Sequence, residues 1–172
     1  QAGAVLGEVY LWIAFRGSDC TSSGTFCVGS YTGNGTAGNA ITSVGFQSDL
    51  VWVKKSVSTG GGALAPVWRS SAMGANESNF FEATNSTTTA ITSLDATGFT
   101  LGVSTNANEN TRTYWYAAFK SVNGFMDVGT YTGIAAKQVI DDQDDAGLNF
   151  SPSWVFVKNS NNATAQSAVF NT

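Results

Sequence analysis

The stretch from Phe46 to Lys54 reads FQSDLVWVK, and it returns 104 positions later as FSPSWVFVK from Phe150 to Lys158. In Leu50 to Lys54 both faces of an extended chain would be apolar until the lysine. Strands that are apolar on both faces are typical of the centre of a covered sheet. The sequence therefore predicts a central β-strand in the first copy and a related strand in the second.

Two further segments repeat in the same order along the chain. Val28–Gly33 (VGSYTG) returns as Val128–Gly133 (VGTYTG), and Tyr10–Arg16 (YLWIAFR) returns as Tyr114–Lys120 (YWYAAFK). This order predicts the closing strand of one unit, then one complete unit, then the opening half of another. The predicted boundaries are 1–24, 25–120 and 121–172. A half unit cannot close its own core, so either the ends pack on something else or the chain is a piece of a longer tandem array.

The composition is that of a β-rich protein with uncharged polar surfaces. Of 172 residues, 12% are charged and 12% are aromatic, the net charge is −4 and histidine is absent. This content is too apolar for a disordered chain. Nucleic acid is not an expected partner because eight Lys and Arg residues are spread thinly. The longest apolar run, Val9–Phe15, is far short of the roughly 20 residues that span a bilayer.

Short segments rich in β-branched and aromatic residues alternate with Gly, Asn and Ser clusters, which predicts short strands joined by turns. Their number and spacing favour an all-β fold, an antiparallel β-sandwich of jelly-roll-like topology. The one helix candidate covers Ser71–Ala83. The predicted strands are Val9–Arg16, Thr25–Thr32, Ala40–Val44, Leu50–Ser56, Ala65–Ser70, Ala90–Leu94, Gly98–Val103, Arg112–Lys120, Asp127–Tyr131, Gln138–Ile140, Trp154–Lys158 and Ala168–Phe170.

The aromatic residues are mainly expected in the core of the sandwich. Alternation places Trp115 and Phe119 on one face of their strand and Tyr114 and Tyr116 on the other. The predicted core of the complete unit is Trp52, Val53, Phe99, Leu101, Trp115 and Phe119, and Trp154 is expected in the core of its own strand. Exposed aromatic rings could instead stack on the C–H faces of sugars. For Trp68, Tyr114 and Tyr116 the core interpretation is favoured over that role.

Cys20 and Cys27 are the only cysteines, and they flank a loop rich in Ser, Thr and Gly. The spacing predicts a disulfide at the base of a hairpin, and the composition favours an oxidising, extracellular compartment. The alternative is two free thiols in a reducing compartment. A zinc site is not supported, since two thiols without histidine leave the zinc shell incomplete.

Little in the sequence supports catalysis. Without histidine, acid–base chemistry would depend on carboxylates, and their spacing selects no pair. We therefore expect no enzymatic activity and no cofactor. One acidic cluster, Asp141, Asp142, Asp144 and Asp145, is a calcium candidate, but it lacks the spaced register of a dedicated loop, and a solvated acidic loop is favoured. Among the N-glycosylation motifs, Asn34, Asn85 and Asn162 lie in turn-like sequence and are the candidate acceptors if the organism glycosylates.

A family resemblance rests on four segments. Gly29–Gly35 (GSYTGNG), Gly45–Lys54 (GFQSDLVWVK) and Asp95–Gly102 (DATGFTLG), with the aromatic strand Thr113–Phe119, resemble a repeat domain of unassigned function. That domain occurs in predicted phage tail-fibre and virion proteins and in microbial surface proteins. Ser48 stands where the family usually has Pro, and Pro152 restores it in the second copy. The resemblance implies a structural or adhesive module, and it carries no catalytic residues.

Two functional hypotheses follow. The first is a non-enzymatic structural subunit of an extracellular assembly, such as a phage tail or fibre or a cell-surface filament. Its expected partners are copies of itself or neighbouring structural subunits at a virion or cell surface. The second is a glycan-binding adhesion module. For the first, we expect strand addition between subunits, with the N-terminal strand as donor and the C-terminal half unit as acceptor. Pairing of these two pieces within one chain is the alternative.

Overall fold

The computed structural model describes residues 14–56, 64–136, 148, 150–159 and 169–171. These residues form ten β-strands and one short helix. The elements are β1 (Phe26–Thr32), β2 (Asn39–Ile41), β3 (Leu50–Lys55), β4 (Val67–Ser70), β5 (Asn79–Phe80), β6 (Ile91–Asp95), β7 (Gly98–Leu101), α1 (Thr105–Asn108), β8 (Thr113–Phe119), β9 (Val155–Val157) and β10 (Val169–Asn171). No helix among these residues has the length and apolar character needed to cross a membrane.

The first eight strands form two antiparallel sheets. The larger sheet has the order β1-β8-β3-β4-β5 and the smaller one has the order β2-β7-β6. The first strand pairs with the eighth and the second pairs with the seventh, so the chain wraps as it does in jelly-roll folds. Strands β9 and β10 form a separate antiparallel pair. The predicted all-β class and antiparallel β-sandwich are confirmed.

The core lies between the two sheets and follows the alternation of side chains along each strand. The larger sheet contributes the inward residues Cys27, Val51, Val53, Val67, Tyr114, Tyr116 and Ala118. The smaller sheet contributes Ile41, Ile91, Phe99 and Leu101. Burial of this apolar surface stabilises the sandwich at roughly 25 cal/mol per Å² removed from water. Strand β3 is central in its sheet, as its sequence predicts.

The predicted core is partly wrong because the larger sheet points its biggest aromatic rings outward. Val53, Phe99, Leu101 and Tyr114 are fully buried, and Tyr116 is buried too. Trp115 is instead 58% exposed, and Trp52 is half-buried on the outer face. Trp154 is exposed as well. The period of two separates the faces of β8 correctly, but it does not state which face is inside, and here the tyrosine face is inside.

Three further predictions about elements need correction. Ser71–Ala83 forms turns and strand β5 rather than a helix, and the helix lies at Thr105–Asn108, where Ser104 caps its N-terminus. No strand forms at Asp127–Tyr131. Of the predicted strand Val9–Arg16, residues 14–16 are not in a strand and the rest lies outside the described residues. The predicted strand Gln138–Ile140 also lies outside them.

Candidate functional site: the outer face of the larger sheet

A continuous band of aromatic rings crosses the outer face of the larger sheet. We call it the aromatic belt. Its members are Phe15, Phe26, Trp52, Trp68, Phe81, Phe119, Trp154 and Phe156. The belt arises because β1, β8, β3 and β4 each place an aromatic residue at an outward position of the pleat. Neighbouring outward rings on paired strands then come into contact.

Within the sandwich the belt is held by close ring contacts. The centroids of Phe26 and Phe119 are 5.0 Å apart, and those of Phe119 and Trp52 are also 5.0 Å apart. Trp52 meets Phe81 edge-on at 5.6 Å, and Phe81 lies 6.3 Å from Trp68. Tilted and edge-on pairs at these distances contribute about 0.5–1.5 kcal/mol each beyond burial. The outer face is therefore an ordered apolar surface.

Segments on either side of the sandwich cover the two ends of this belt. Phe15, before β1, lies 5.4 Å from Phe26 and 5.1 Å from Phe119. Phe156, on β9, lies 4.9 Å from Trp68 and 5.3 Å from Phe81. The Lys158 ammonium donates to the Glu82 carbonyl oxygen at 2.9 Å, and burial lowers the pKa of Lys158. The outer face of the sandwich thus contacts the segment before β1 and the segment that contains β9.

Two polar groups lie unsatisfied beneath this cover. The indole Nε1 atoms of Trp52 and Trp68 are buried and donate to no acceptor within the described residues. An unpaired buried donor costs about 1–3 kcal/mol. The cover is consequently held by apolar contact and not by hydrogen bonds at these indoles. A partner that offered hydrogen-bond acceptors to these two indole N–H groups would remove this cost.

The disulfide positions the preceding segment against β1. Cys20 and Cys27 are bonded, with their Cα atoms 5.0 Å apart, as the sequence predicts. The Asp19 amide donates to the Phe26 carbonyl at 2.8 Å, and the Val28 amide donates to the Ser18 hydroxyl at 3.1 Å. β1 is an edge strand, so these bonds occupy part of its free side. Residues 18–20 thereby lie along the edge strand, close in sequence to the Phe15 end of the belt.

Beside the belt, Trp115 forms a separate exposed patch that we call the Trp115 platform. Trp115 on β8 lies between Ser30 on β1 and Lys54 on β3 in the register of the sheet. Val28, one outward position along β1, is 48% exposed. The Lys54 ammonium donates to the Leu64 carbonyl oxygen at 2.5 Å, so the platform offers the apolar face of the indole and the exposed Ser30 hydroxyl. This combination suits an amphipathic ring such as a sugar.

An ion pair between a buried lysine and a partly exposed glutamate lies on the opposite, inner side of β3. The Lys55 ammonium is buried and donates to a carboxylate oxygen of Glu109, while Arg112 Nε lies 3.5 Å from the other carboxylate oxygen. The hydrogen bond from Lys55 lowers the pKa of Glu109. The Glu109 amide in turn donates to the Tyr114 hydroxyl at 2.9 Å. These contacts tie the loop after α1 to the sheet, so the pair has a structural role.

Asn108 anchors the loop that follows β1. Its buried side-chain amide donates to the carbonyl oxygens of Thr36 and Gly102 and accepts from the Asn34 amide at 2.9 Å and the Asn39 side chain at 2.8 Å. A buried amide that makes all these bonds is typical of a structural network. Asn34 is exposed, and its side-chain oxygen accepts from the Thr36 amide, which makes a local turn at this glycosylation motif.

The other predicted site residues are scattered. Asn85 is exposed in a loop, far along the chain from Asn34. Asn162 and the acidic residues Asp141, Asp142, Asp144 and Asp145 lie outside the described residues. Within the described ranges, no group of three Cys, Asp or Glu side chains could hold a metal ion. The glycosylation and calcium assignments stay predictions.

Sequence reasoning missed most of the belt and the Trp115 platform. It assigned Trp52 and Trp115 to the core because the outward positions of β3 and β8 are as apolar as the inward ones. One available signal was that Phe15 and Phe156 repeat Phe119 and Trp52 respectively, each 104 positions away. Trp52 and Phe119 contact each other within the sandwich, with ring centroids 5.0 Å apart. Their repeats, Phe156 and Phe15, cover the two ends of the aromatic belt.

The family assignment covers the sandwich itself. Residues 21–124 match the profile of a family described as a domain of unknown function, DUF7483. The chain belongs to this family. Its profile contains all eight strands of the two sheets, while Phe15 and Phe156 lie outside it. No curated protein and no solved structure matches the chain.

Proposed function

We propose that this DUF7483 protein is a non-enzymatic structural module of an extracellular assembly, such as a phage tail or fibre or a cell-surface filament. The observation that carries the proposal is the position of the aromatic belt. Phe15 before the sandwich and Phe156 after it both dock on the outer face of one sheet. A module whose outer face binds neighbouring segments suits a string of packed modules.

The disulfide, the residue composition and the repeated motifs support the same proposal. The Cys20–Cys27 disulfide is typical of proteins outside the reducing cytosol. The sequence has no histidine, and Glu109 is engaged by Lys55 and Arg112. These features favour a structural role over acid–base catalysis. Tandem repetition of the strand motifs favours an array of modules.

Electron microscopy and sedimentation of the purified full chain test this function. We expect filaments or defined oligomers at high concentration. Phe156→Ser should weaken the attachment of β9, speed amide exchange at Val155–Val157 and reduce assembly, because a hydroxyl cannot replace the ring contacts with Trp68 and Phe81. Phe125→Ser is the matched control, since Phe125 is 81% exposed. A chain that stays monomeric at every concentration contradicts the proposal.

Glycan binding at the Trp115 platform is a second candidate function. It is favoured by one observation, the 58% exposure of an indole set between Ser30 and Lys54 in the register of the sheet. Affinity electrophoresis in gels that contain neutral polysaccharides would test it. Retardation that Trp115→Ala abolishes and Phe125→Ala preserves would support the site. Equal mobility of the wild type in gels with and without polysaccharide would contradict it.

A further inference from the structure

We propose that Trp52, Trp68 and Asn79 form a binding site for a neutral oligosaccharide, and that the ligand displaces Phe156 from this site. The three residues lie side by side on the larger sheet, because Trp52 is opposite Trp68 and Trp68 is opposite Asn79 in the register of β3, β4 and β5. Directly opposite residues on antiparallel strands point to the same face. The site shares its ligand class with the second candidate function but consists of other residues than the Trp115 platform.

Each of the three side chains has a buried N–H donor without an acceptor. The Nε1 atoms of Trp52 and Trp68 and the Nδ2 atom of Asn79 are removed from solvent and bond to no acceptor among the described residues. Asn79 is fully buried and Trp68 is 8% exposed. The Asn79 amide cannot be turned round to correct this, since its Oδ1 atom accepts from the Phe80 amide at 2.9 Å. The row therefore presents three donors that a folded core would normally satisfy.

The neighbouring buried serine shows what a structural polar side chain does in this fold. The Ser78 hydroxyl donates to the Ile91 carbonyl oxygen at 2.6 Å and accepts from the Ile91 amide at 2.9 Å. Asn79 uses only its oxygen, for the Phe80 amide. A serine can accept such a local bond without burying an NH₂ group. The unpaired nitrogen of Asn79 thus indicates a binding role in addition to the structural one.

The chemistry of the row selects an uncharged ligand with oxygen acceptors. Its floor consists of two indoles, and the ring of Phe81 lies 5.6 Å from that of Trp52 and 6.3 Å from that of Trp68. An anion would be costly to bury here, because none of the three donors carries a charge. A sugar ring can place its C–H face on an indole while its oxygens accept from the N–H groups. Three neighbouring strands span roughly 10 Å, so the row suits linked sugar rings.

Phe156 is the part of the cover that a ligand would displace. Its ring lies 4.9 Å from Trp68 and 5.3 Å from Phe81. Its strand, Val155–Val157, is only half-buried along its length. A phenyl ring offers no oxygen or nitrogen acceptor, so contact with Phe156 leaves the donors of the row unpaired. A sugar and Phe156 therefore compete for one face, and each weakens the binding of the other.

Affinity electrophoresis of full-length chains that all carry Trp115→Ala tests the site, because that change removes the Trp115 platform from the result. The probes are three neutral polysaccharides, dextran, galactomannan and xyloglucan. We expect at least one of them to retard the chain. Adding Phe156→Ser should strengthen this binding roughly fivefold, whereas Asn79→Ser and Trp68→Phe should each weaken it roughly fivefold. Phe125→Ser, at an 81% exposed position, is the matched control for Phe156→Ser.

Two spectroscopic measurements give results that a merely structural row would not. On addition of oligosaccharides cut from the retained polymer, the indole N–H resonances of Trp52 and Trp68 should shift. The amides of Val155–Val157 should exchange faster as the strand is displaced. Thermal melts identify any variant with a damaged fold, and Phe156→Ser, which lies outside the two sheets, carries the test if Asn79→Ser fails to fold.

Three results would overturn the proposal. The first is that none of the three polymers retards the Phe156→Ser chain. The second is undiminished binding by folded Asn79→Ser and Trp68→Phe chains, which would place the sugar elsewhere. The third is a shift of the indole resonances with protein concentration and not with sugar, which would show that a second copy fills the row. Retardation of the wild type that Trp115→Ala abolishes would support the Trp115 platform and contradict this site.

Discussion

Val28–Gly33 and Val128–Gly133 differ in sequence at one position, Ser30 against Thr130, yet they adopt different backbone structures. The first segment is β1, an edge strand bonded along its length to β8. The second forms no strand, and its residues 129–133 are exposed. Since the two sequences are nearly the same, local propensity cannot explain the difference. The presence of a partner strand does, as expected if β-propensity reflects packing on a sheet.

The glycines that end the two motifs show the same contrast at atomic scale. The Gly33 amide donates to the Arg112 carbonyl at 2.8 Å, and a Cβ atom at Gly33 would lie 2.3 Å from the Glu109 carbonyl oxygen. At Gly133 a Cβ atom would meet nothing within 4 Å. The same residue is therefore packed against backbone in one copy and has open space where a side chain would lie in the other.

Replacing the two tyrosines should give the largest contrast. Tyr31→Ala removes the stack on Tyr114 and the hydrogen bond from the Tyr31 hydroxyl to the Ala107 carbonyl at 2.6 Å. We expect the free energy of unfolding to fall by about 3 kcal/mol. Tyr131→Ala, the matched control, should change it by less than about 0.5 kcal/mol, because exposed positions contribute little. Urea titrations of both variants measure this, and equal losses would contradict the comparison.

Removing the disulfide should have a somewhat smaller effect, confined to the first copy. Only that copy carries cysteines, and the bond ties residues 18–20 to β1. In the chain-entropy model, a bridge that closes so short a loop contributes about 2–3 kcal/mol. Double replacement of Cys20 and Cys27 by Ser should lower the free energy of unfolding by that amount. Treatment of the wild type with a reductant should reproduce the loss, and unchanged stability in both experiments would refute a stabilising role.

Adding a methyl group at the two glycines tests the packing difference directly. Gly33→Ala places a Cβ against the Glu109 carbonyl, so we expect a loss of about 2 kcal/mol as the backbone shifts. Gly133→Ala has open space and should be neutral or slightly stabilising, because it restricts the unfolded chain. Thermal melts of the two single variants give the result. If Gly33→Ala melts at the same temperature as the wild type, the backbone at Gly33 is not packed closely against the Glu109 carbonyl oxygen.

The smallest expected effect is a pH dependence from Glu109, whose loop holds Gly33. The hydrogen bond from Lys55 lowers the pKa of Glu109 below its unfolded value, which is near 4.3. Its contribution to stability is therefore complete above about pH 4.3 and is lost as the pH falls through the lower folded value. Glu109→Gln should be less stable than the wild type at neutral pH, and this difference should shrink in acid. A difference between Glu109→Gln and the wild type that stays the same across the pH series would contradict this role of the Lys55 bond.

Prediction from sequence succeeds where a pattern has one physical meaning. The strands from Thr25 to Lys120 follow from β-branched runs and turn residues, and they are confirmed within a few residues. The Cys20–Cys27 bond follows from spacing. Prediction fails at Trp115, where both faces of the strand are aromatic, and at Ser71–Ala83, where a polar stretch forms turns and β5 instead of a helix. In both places the local sequence pattern is compatible with two structures.

The all-β class, the positions of most strands, the disulfide and the recurrence of the strand motifs can all be read from the amino-acid sequence. Those properties depend on side chains close together in the chain and on the period of two that any strand imposes. Long-range packing instead selected which face of β8 is buried and placed Phe15 and Phe156 over one sheet. It also decided that VGSYTG becomes a strand while VGTYTG does not. These outcomes depend on whether a partner far away in sequence lies alongside to complete the hydrogen bonds and exclude water.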